Sequence, residues 1–154
     1  FRDTRLVTFL RRPTDQPPVR FYERLEPAVF VLRLVPGMRA DIIPLLAPHY
    51  RALVLESFGV GGLPGGEHGE MFAALRRWCE SGRLAVFTTQ VPHEGCDLAV
   101  YEVGRAVGEL PGVLEARDMT PEAVAVKLMW ALGQTEDREK AARLFETPIE
   151  YDIM

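Results

Sequence analysis

Cysteine is scarce in this 154-residue sequence, with only Cys79 and Cys96. Two thiols cannot make a disulfide framework, and neither lies in a C-x-x-C pair. Histidine is scarce as well: His49, His68 and His93 stand far apart, without the spacing of metal ligands. No metal and no cofactor is expected. No apolar run is long enough to span a bilayer. The opening FRDTRLVTFLRR has too short an apolar region for a signal peptide and no small-residue cleavage site. The expectation is a cytoplasmic protein with no membrane partner. Positive charge is in deficit: 18 Lys and Arg stand against 22 Asp and Glu, for a formal net charge of −4. Without a basic stripe, nucleic acid is not expected as the main partner. No internal repeat or low-complexity segment occurs. Position 1 is Phe rather than Met, in the middle of an apolar and basic pattern, so the sequence reads as a piece of a longer protein.

Apolar residues, by contrast, make up 47% of the chain, enough for one domain with a sizeable core. The most distinctive stretch is Ala52–Gly66, ALVLESFGVGGLPGG. Ala52, Leu53, Val54 and Leu55 read as a buried strand of a parallel sheet. Glycines at 59, 61, 62, 65 and 66 exclude a strand or helix interior. A helical pattern starts at Glu67. Strand, glycine-rich loop, helix is the arrangement that places ligands at the carboxyl end of a strand in open α/β sheets. The loop matches neither G-x-G-x-x-G, because proline takes the last position, nor the P-loop, because no Gly-Lys-Ser/Thr follows.

The remaining pattern alternates in the same way. Residues 1–27 hold an apolar piece, Leu6–Leu10, and a proline cluster at 13–18, read as a strand or hairpin followed by a stiff connector. Ala28–Val35 is a strand and 39–46 a short helix interrupted by Pro44. Residues 67–81 form a helix with an apolar stripe of Met71, Phe72, Leu75, Trp78 and Cys79, to be covered by the sheet or by another subunit. Gly82 ends it. Leu84–Thr88 is the third strand, and a second long loop, TQVPHEGC, covers 89–96. Residues 97–107 continue into a helix with Val100, Val103, Ala106 and Val107 inward. Gly112–Leu114 is a short fourth strand. Thr120, Pro121 and Glu122 form a helix start. That helix is expected to stop at Gly133, with Val124, Lys127, Leu128, Ala131 and Leu132 as its stripe. A last helix covers 138–145. The fold class is therefore α/β, a parallel sheet of about four strands flanked by helices, flavodoxin-like or Rossmann-like in its layering. The loops 57–66 and 89–97 would share one edge of the sheet.

Few residues in these loops have the neighbours that catalysis needs. His93 and Cys96 lie three apart, but no third group is in view to orient a nucleophile pair. Ser57 precedes glycines, yet the G-x-S-x-G elbow is missing. Glu102 follows Tyr101 at a helix start, where a carboxylate is favoured by the dipole or aimed at a polar ligand.

Four blocks carry a resemblance: PVRFYERLEPAVFVLRLVPGM (18–38), ALVLESFGVGGLP (52–64), AVYEVGRA (99–106) and DMTPEAVAVKLMWALG (118–133). In this order the sequence resembles the C-terminal half of the bacterial cytoplasmic-type (type I) L-asparaginases. The resemblance implies that 1–27 are the end of the N-terminal domain with the interdomain connector, and 28–154 the C-terminal domain. It implies a parent enzyme that hydrolyses L-asparagine to L-aspartate and ammonia through a threonine nucleophile in the N-terminal domain. Neither a TGGTI-like nor an HGTDT-like motif occurs here, so no catalytic residue is expected in this chain and the chain alone is expected to be inactive. Its partners would be its own N-terminal domain and a homo-oligomer neighbour, whose active site it would help to complete. Carried over by motif, Ser57, Gly59, Gly61 and Gly62 belong to the loop that reaches across. Many members have asparagine at the position of Gly62. Glu102 falls where some relatives place a carboxylate near the substrate amine, which suits an ammonium group. Thr89 and Gln90 match a regulatory asparagine site, with Val91 where that site has cysteine. Two other readings stand beside this one: an asparaginase-like subunit of a tRNA amidotransferase, and a stand-alone module that binds a small amino acid.

Overall fold

The computed structural model describes residues 18–66, 68–91, 95–100, 102–149 and 152–153. The expected strand at Leu6–Leu10, Glu67 and His93 lie outside the described residues.

Four strands build one parallel sheet: β1 (Val29–Arg33), β2 (Ala52–Ser57), β3 (Leu84–Thr89) and β4 (Val113–Glu115). Their spatial order is their order in the chain, with β2 in register on β1 from Val29↔Ala52 and on β3 from Ala52↔Leu84. Between them run α1 (Ile42–Leu46), α2 (Glu70–Glu80) and α3 (Glu102–Gly108); α4 (Pro121–Gln134) and α5 (Arg138–Glu146) follow. Three crossovers stepping in one direction with one hand must lay their helices on the same face. The core shows this split. Leu53, Leu55 and Phe87 meet Ile43, Leu75 and Val107 on one side, while Ala52, Val54 and Val86 meet Val124, Leu128 and Phe145 on the other. Strand residues alternate between the two layers with the period of two that a pleated sheet imposes. The expected layered α/β architecture is therefore the one observed.

The α2 stripe, Met71, Phe72, Leu75, Trp78 and Cys79, is buried within this domain against the sheet, so no second subunit is needed to cover it. Pro44 does not break α1. It is the third residue of a five-residue helix, inside the first turn, where a missing N–H leaves no bond unmade. Thr120 caps α4 by accepting from Ala123 N–H at 3.3 Å, and Asp137 caps α5 through Glu139 and Lys140 N–H.

Three expectations need correction. The segment 97–107 leaves the loop and turns helical at Glu102, but Val100 is 52% exposed rather than inward. Asp97 turns the chain first, its carboxylate accepting Ala99 N–H at 2.9 Å. α2 begins at Glu70, after Gly69 as its N-cap. α4 does not stop at Gly133 but runs through it to Gln134. That glycine serves a close approach: a Cβ there would stand 2.6 Å from Arg24 O and 2.9 Å from Leu25 Cα. The connector 18–27, which has no regular structure, passes over this point. Its Glu26 N–H donates to Met129 O at 2.9 Å, and Gln134 Nε2 donates to Arg24 O at 2.9 Å.

Candidate functional site

Because all strands run the same way, their carboxyl ends share one edge, and the two distinctive loops leave from neighbouring strands β2 and β3. The structure locks these loops together. Thr89 Oγ1 donates to Gly59 O and accepts Val91 N–H at 3.0 Å. Gln90 N–H donates to Ser57 O at 3.3 Å, and Asp97 N–H to Val60 O at 3.0 Å. Leu98 fills the space beside Gly61, where an added Cβ would come within 2.9 Å of its Cδ2. The glycine loop itself closes on Phe58, whose carbonyl accepts from Gly61 and Gly62 N–H at 3.1 and 2.8 Å. Gly65 and Gly66 carry φ of +77° and +70°, a backbone conformation that side chains with a Cβ rarely adopt. They turn the chain back into α2.

Ser57, Thr89 and Gln90 are brought together, with most of their polar groups engaged in this scaffold. Ser57 is fully buried and its hydroxyl donates to Thr88 O at 2.8 Å. Gln90 Nε2 donates to Leu34 O at 2.7 Å and Glu56 O at 2.8 Å, tying the ends of β1 and β2 to β3. Gly59, Gly61 and Gly62 form the turn above them. A Cβ at Gly62 would meet Phe58 Cβ and O at 3.2 Å, a tight but not closed space. Glu102 is the first residue of α3 and is exposed. Its neighbour Val103 lies beside Gly66, whose Cβ would be 3.9 Å from Val103 Cγ2, so α3 begins next to the glycine loop.

A further wall of this edge was not singled out from sequence. The β1–α1 turn at 36–40 faces the glycine loop across a cleft of about 530 Å³, lined by Met38, Arg39, Phe58, Leu63 and Glu70 among others. Pro36-Gly37 directly after a strand was the signal that could have found it. Arg39 donates from Nε and Nη2 to Asp41 Oδ2, at 3.1 and 2.7 Å. Glu56 pairs with Arg33 at 3.6 Å beside the same edge.

The thiols contribute no nucleophile. Burial first, then the charges of Glu115 and Asp97, push the Cys96 thiol up to about 12, and burial pushes Cys79 to about 11. Cys96 Sγ donates to Val60 O at 3.5 Å and so also binds the two loops together. At about pH 8 a thiol-exchange reagent is expected to leave both native thiols unlabelled while the denatured chain releases two equivalents. Rapid labelling of native Cys96 would restore the nucleophile reading. Among the described residues no group of His, Cys, Asp and Glu is placed to hold a metal ion, and no helix is long and apolar enough to cross a membrane.

The described residues thus define a parallel α/β layer whose carboxyl edge carries two interlocked loops. Residues 28–145 match the family described as the glutaminase/asparaginase C-terminal domain. The chain belongs to that family. It is 38% identical over 133 residues to an L-asparaginase of Thermococcus kodakarensis, a match covering 86% of this chain and 40% of that protein. It is 35% identical over 140 residues to a glutamyl-tRNA(Gln) amidotransferase subunit of Metallosphaera sedula, covering 90% of this chain and 30% of that protein. The solved structure of the thermostable L-asparaginase from Thermococcus kodakarensis superposes with a TM-score of 0.78 at 35% identity, covering 92% of this chain and 44% of that one. The chain thus spans less than half the length of these relatives.

Proposed function

We propose that this chain is the C-terminal half of an L-asparaginase of the cytoplasmic type, hydrolysing L-asparagine to L-aspartate and ammonia. Residues 1–27 are the end of the N-terminal domain and its connector, and 28–154 the C-terminal domain. The nucleophile belongs to the N-terminal half. This half supports the reaction from a neighbouring subunit in a homo-oligomer. The observation that carries the reading is the edge where residues 57–66 are hydrogen-bonded to 89–91 and 95–97, a fixed surface to offer to a site built elsewhere. In it the backbone of Gly59–Gly62 faces the substrate, with Ser57 holding the loop from below. Glu102 supplies a carboxylate for the substrate ammonium. An asparagine bound at Thr89 and Gln90 would have to displace the bonds those side chains make to Gly59, Leu34 and Glu56.

The test is reconstitution. The chain alone is expected to release no ammonia from asparagine or glutamine. Mixed with a separately expressed N-terminal half of the parent protein, it is expected to restore turnover of asparagine in preference to glutamine. Turnover by the purified chain, or folded halves that stay inactive together, would overturn the reading. The amidotransferase subunit is the second reading, because a relative of that name is nearly as similar as the asparaginase. Glutamine turnover with little asparagine turnover would favour it.

A further inference from the structure

The end of β1 carries a carbonyl that the sheet ladder leaves unserved. Leu34 N–H donates to Glu56 O at 3.0 Å, extending the β1–β2 ladder past its register pair Arg33↔Glu56. In a parallel ladder the next bond runs the other way, from the residue two beyond Glu56, so Phe58 N–H would belong on Leu34 O. The glycine loop turns the chain back at this point, and Phe58 N–H donates instead to Gly62 O at 3.1 Å. Leu34 is fully buried, so its carbonyl has no solvent to turn to.

Gln90 takes the vacant place. Its backbone extends the β2–β3 ladder, with its N–H donating to Ser57 O at 3.3 Å. Its side chain then crosses the end of β2, and Nε2 donates to Leu34 O at 2.7 Å and to Glu56 O at 2.8 Å. The two hydrogens of one primary amide serve both carbonyls, which neither a carboxylate nor an apolar side chain of the same length can do. The loop is fastened again further on, where Thr89 Oγ1 donates to Gly59 O. Two walls grow from the residues that Gln90 holds. Leu34 leads into the turn at 36–40 and Glu56 into the glycine loop, and the cleft of about 530 Å³ lies between them.

We propose that Gln90 is the positioning residue of the glycine loop: its amide takes the ladder place that Phe58 N–H gives up, and so holds 57–62 in the turned form that meets the substrate. Without the amide, the donor that the ladder offers to Leu34 O is Phe58 N–H, and its return opens the Phe58–Gly62 turn. That the reaction uses the turned form rests on the reading of the chain as a C-terminal half.

Amide exchange of the 154-residue chain tests the clamp with no second half present. Gln90→Met keeps the length of the side chain and removes both donors, and Gln90→Glu keeps its shape as well. In both variants exchange at Gly61 and Gly62, whose N–H groups donate to Phe58 O, is expected to rise about tenfold or more, while Val54 and Val86 stay protected as in the wild type. Gln134→Met removes a similar amide bridge, to Arg24 O and Trp130 O at the end of α4, and is expected to change nothing at the loop. Unchanged exchange at Gly61 and Gly62, or a rise shared by the whole sheet, would overturn the proposal. Kinetics then read the consequence. With the N-terminal half added, both Gln90 variants are expected to raise KM for asparagine about tenfold and to change kcat by about twofold or less, because contacts to bound substrate are lost and the nucleophile is untouched. An active wild-type mixture whose Gln90 variants keep its KM would also overturn the proposal. An inactive wild-type mixture would overturn the half-enzyme reading, and the exchange result alone would decide the clamp.

Discussion

Replacing Gly104 with alanine is expected to destabilise the domain by about 1–3 kcal/mol, the range for forcing an extra group into a packed interior. Helix propensity alone argues the other way, since alanine is better than glycine in a helix by about 1 kcal/mol. Geometry decides between them. A Cβ at Gly104 would overlap the carbonyl oxygen of Leu98 and stand 3.1 Å from both its carbonyl carbon and its Cα. Those are backbone atoms of a segment that cannot easily retreat. Cys96 N–H donates to Arg117 O at 2.7 Å, Asp97 N–H donates to Val60 O at 3.0 Å, and Leu98 is 2% exposed in the core. Gly108→Ala is the matched control. Its Cβ would meet only the Leu98 side chain, at 3.8 and 3.9 Å, an ordinary contact, so this variant is expected to be neutral or slightly stabilising. Urea midpoints of the two variants give the comparison. Because the strained segment includes the bond from Asp97 to Val60, Gly104→Ala should also speed amide exchange at Asp97. A Gly104→Ala domain as stable as the wild type would mean that α3 does not seat on residues 96–98 as described.

This position illustrates what the sequence shows and what it hides. Elements whose signal is local were legible: the strand at Ala52, the α2 stripe and the Thr120-Pro121-Glu122 start all depend on neighbours within a few residues. The joined edge was legible too, because two odd loops after adjacent parallel strands have nowhere else to go. Glycine was the weak point. Gly133 reads as a helix end, since a glycine there is a common stop. Its actual cause is a connector more than a hundred residues away in sequence, pressed against α4. Gly61 and Gly104 likewise owe their place to Leu98, against which a Cβ at either would press. Val100 read as inward because a period of 3.6 was extended backward through Asp97, which turns the chain instead. At Ser57, Thr89 and Gln90 the bonds that occupy the side chains run to carbonyls distant in the chain, which no local pattern reports.

Lys127 shows the same limit with a measurable consequence. Its place in the α4 stripe puts a cation in the buried layer, with its side chain 6% exposed. Its Nζ donates to Thr147 O at 2.9 Å, pairs with Asp152 at 2.7 Å and lies 5.7 Å from the Phe145 ring centre. The two partners are unequal, because Asp152 is 25% exposed and its other oxygen accepts Ile149 N–H at 2.7 Å. Removing the carboxylate leaves a buried charge uncompensated, whereas removing the cation leaves a carboxylate that water and a backbone N–H still serve. Asp152→Ala is therefore expected to cost about 3 kcal/mol. Lys127→Met, which keeps the stem over Phe145, is expected to cost about 1 kcal/mol or less. The double variant should lie near Lys127→Met, because without the cation the aspartate has little left to neutralise. Urea unfolding of the three variants gives the cycle. Equal losses for the two single variants would mean that the cation reaches water and the pair is a surface one.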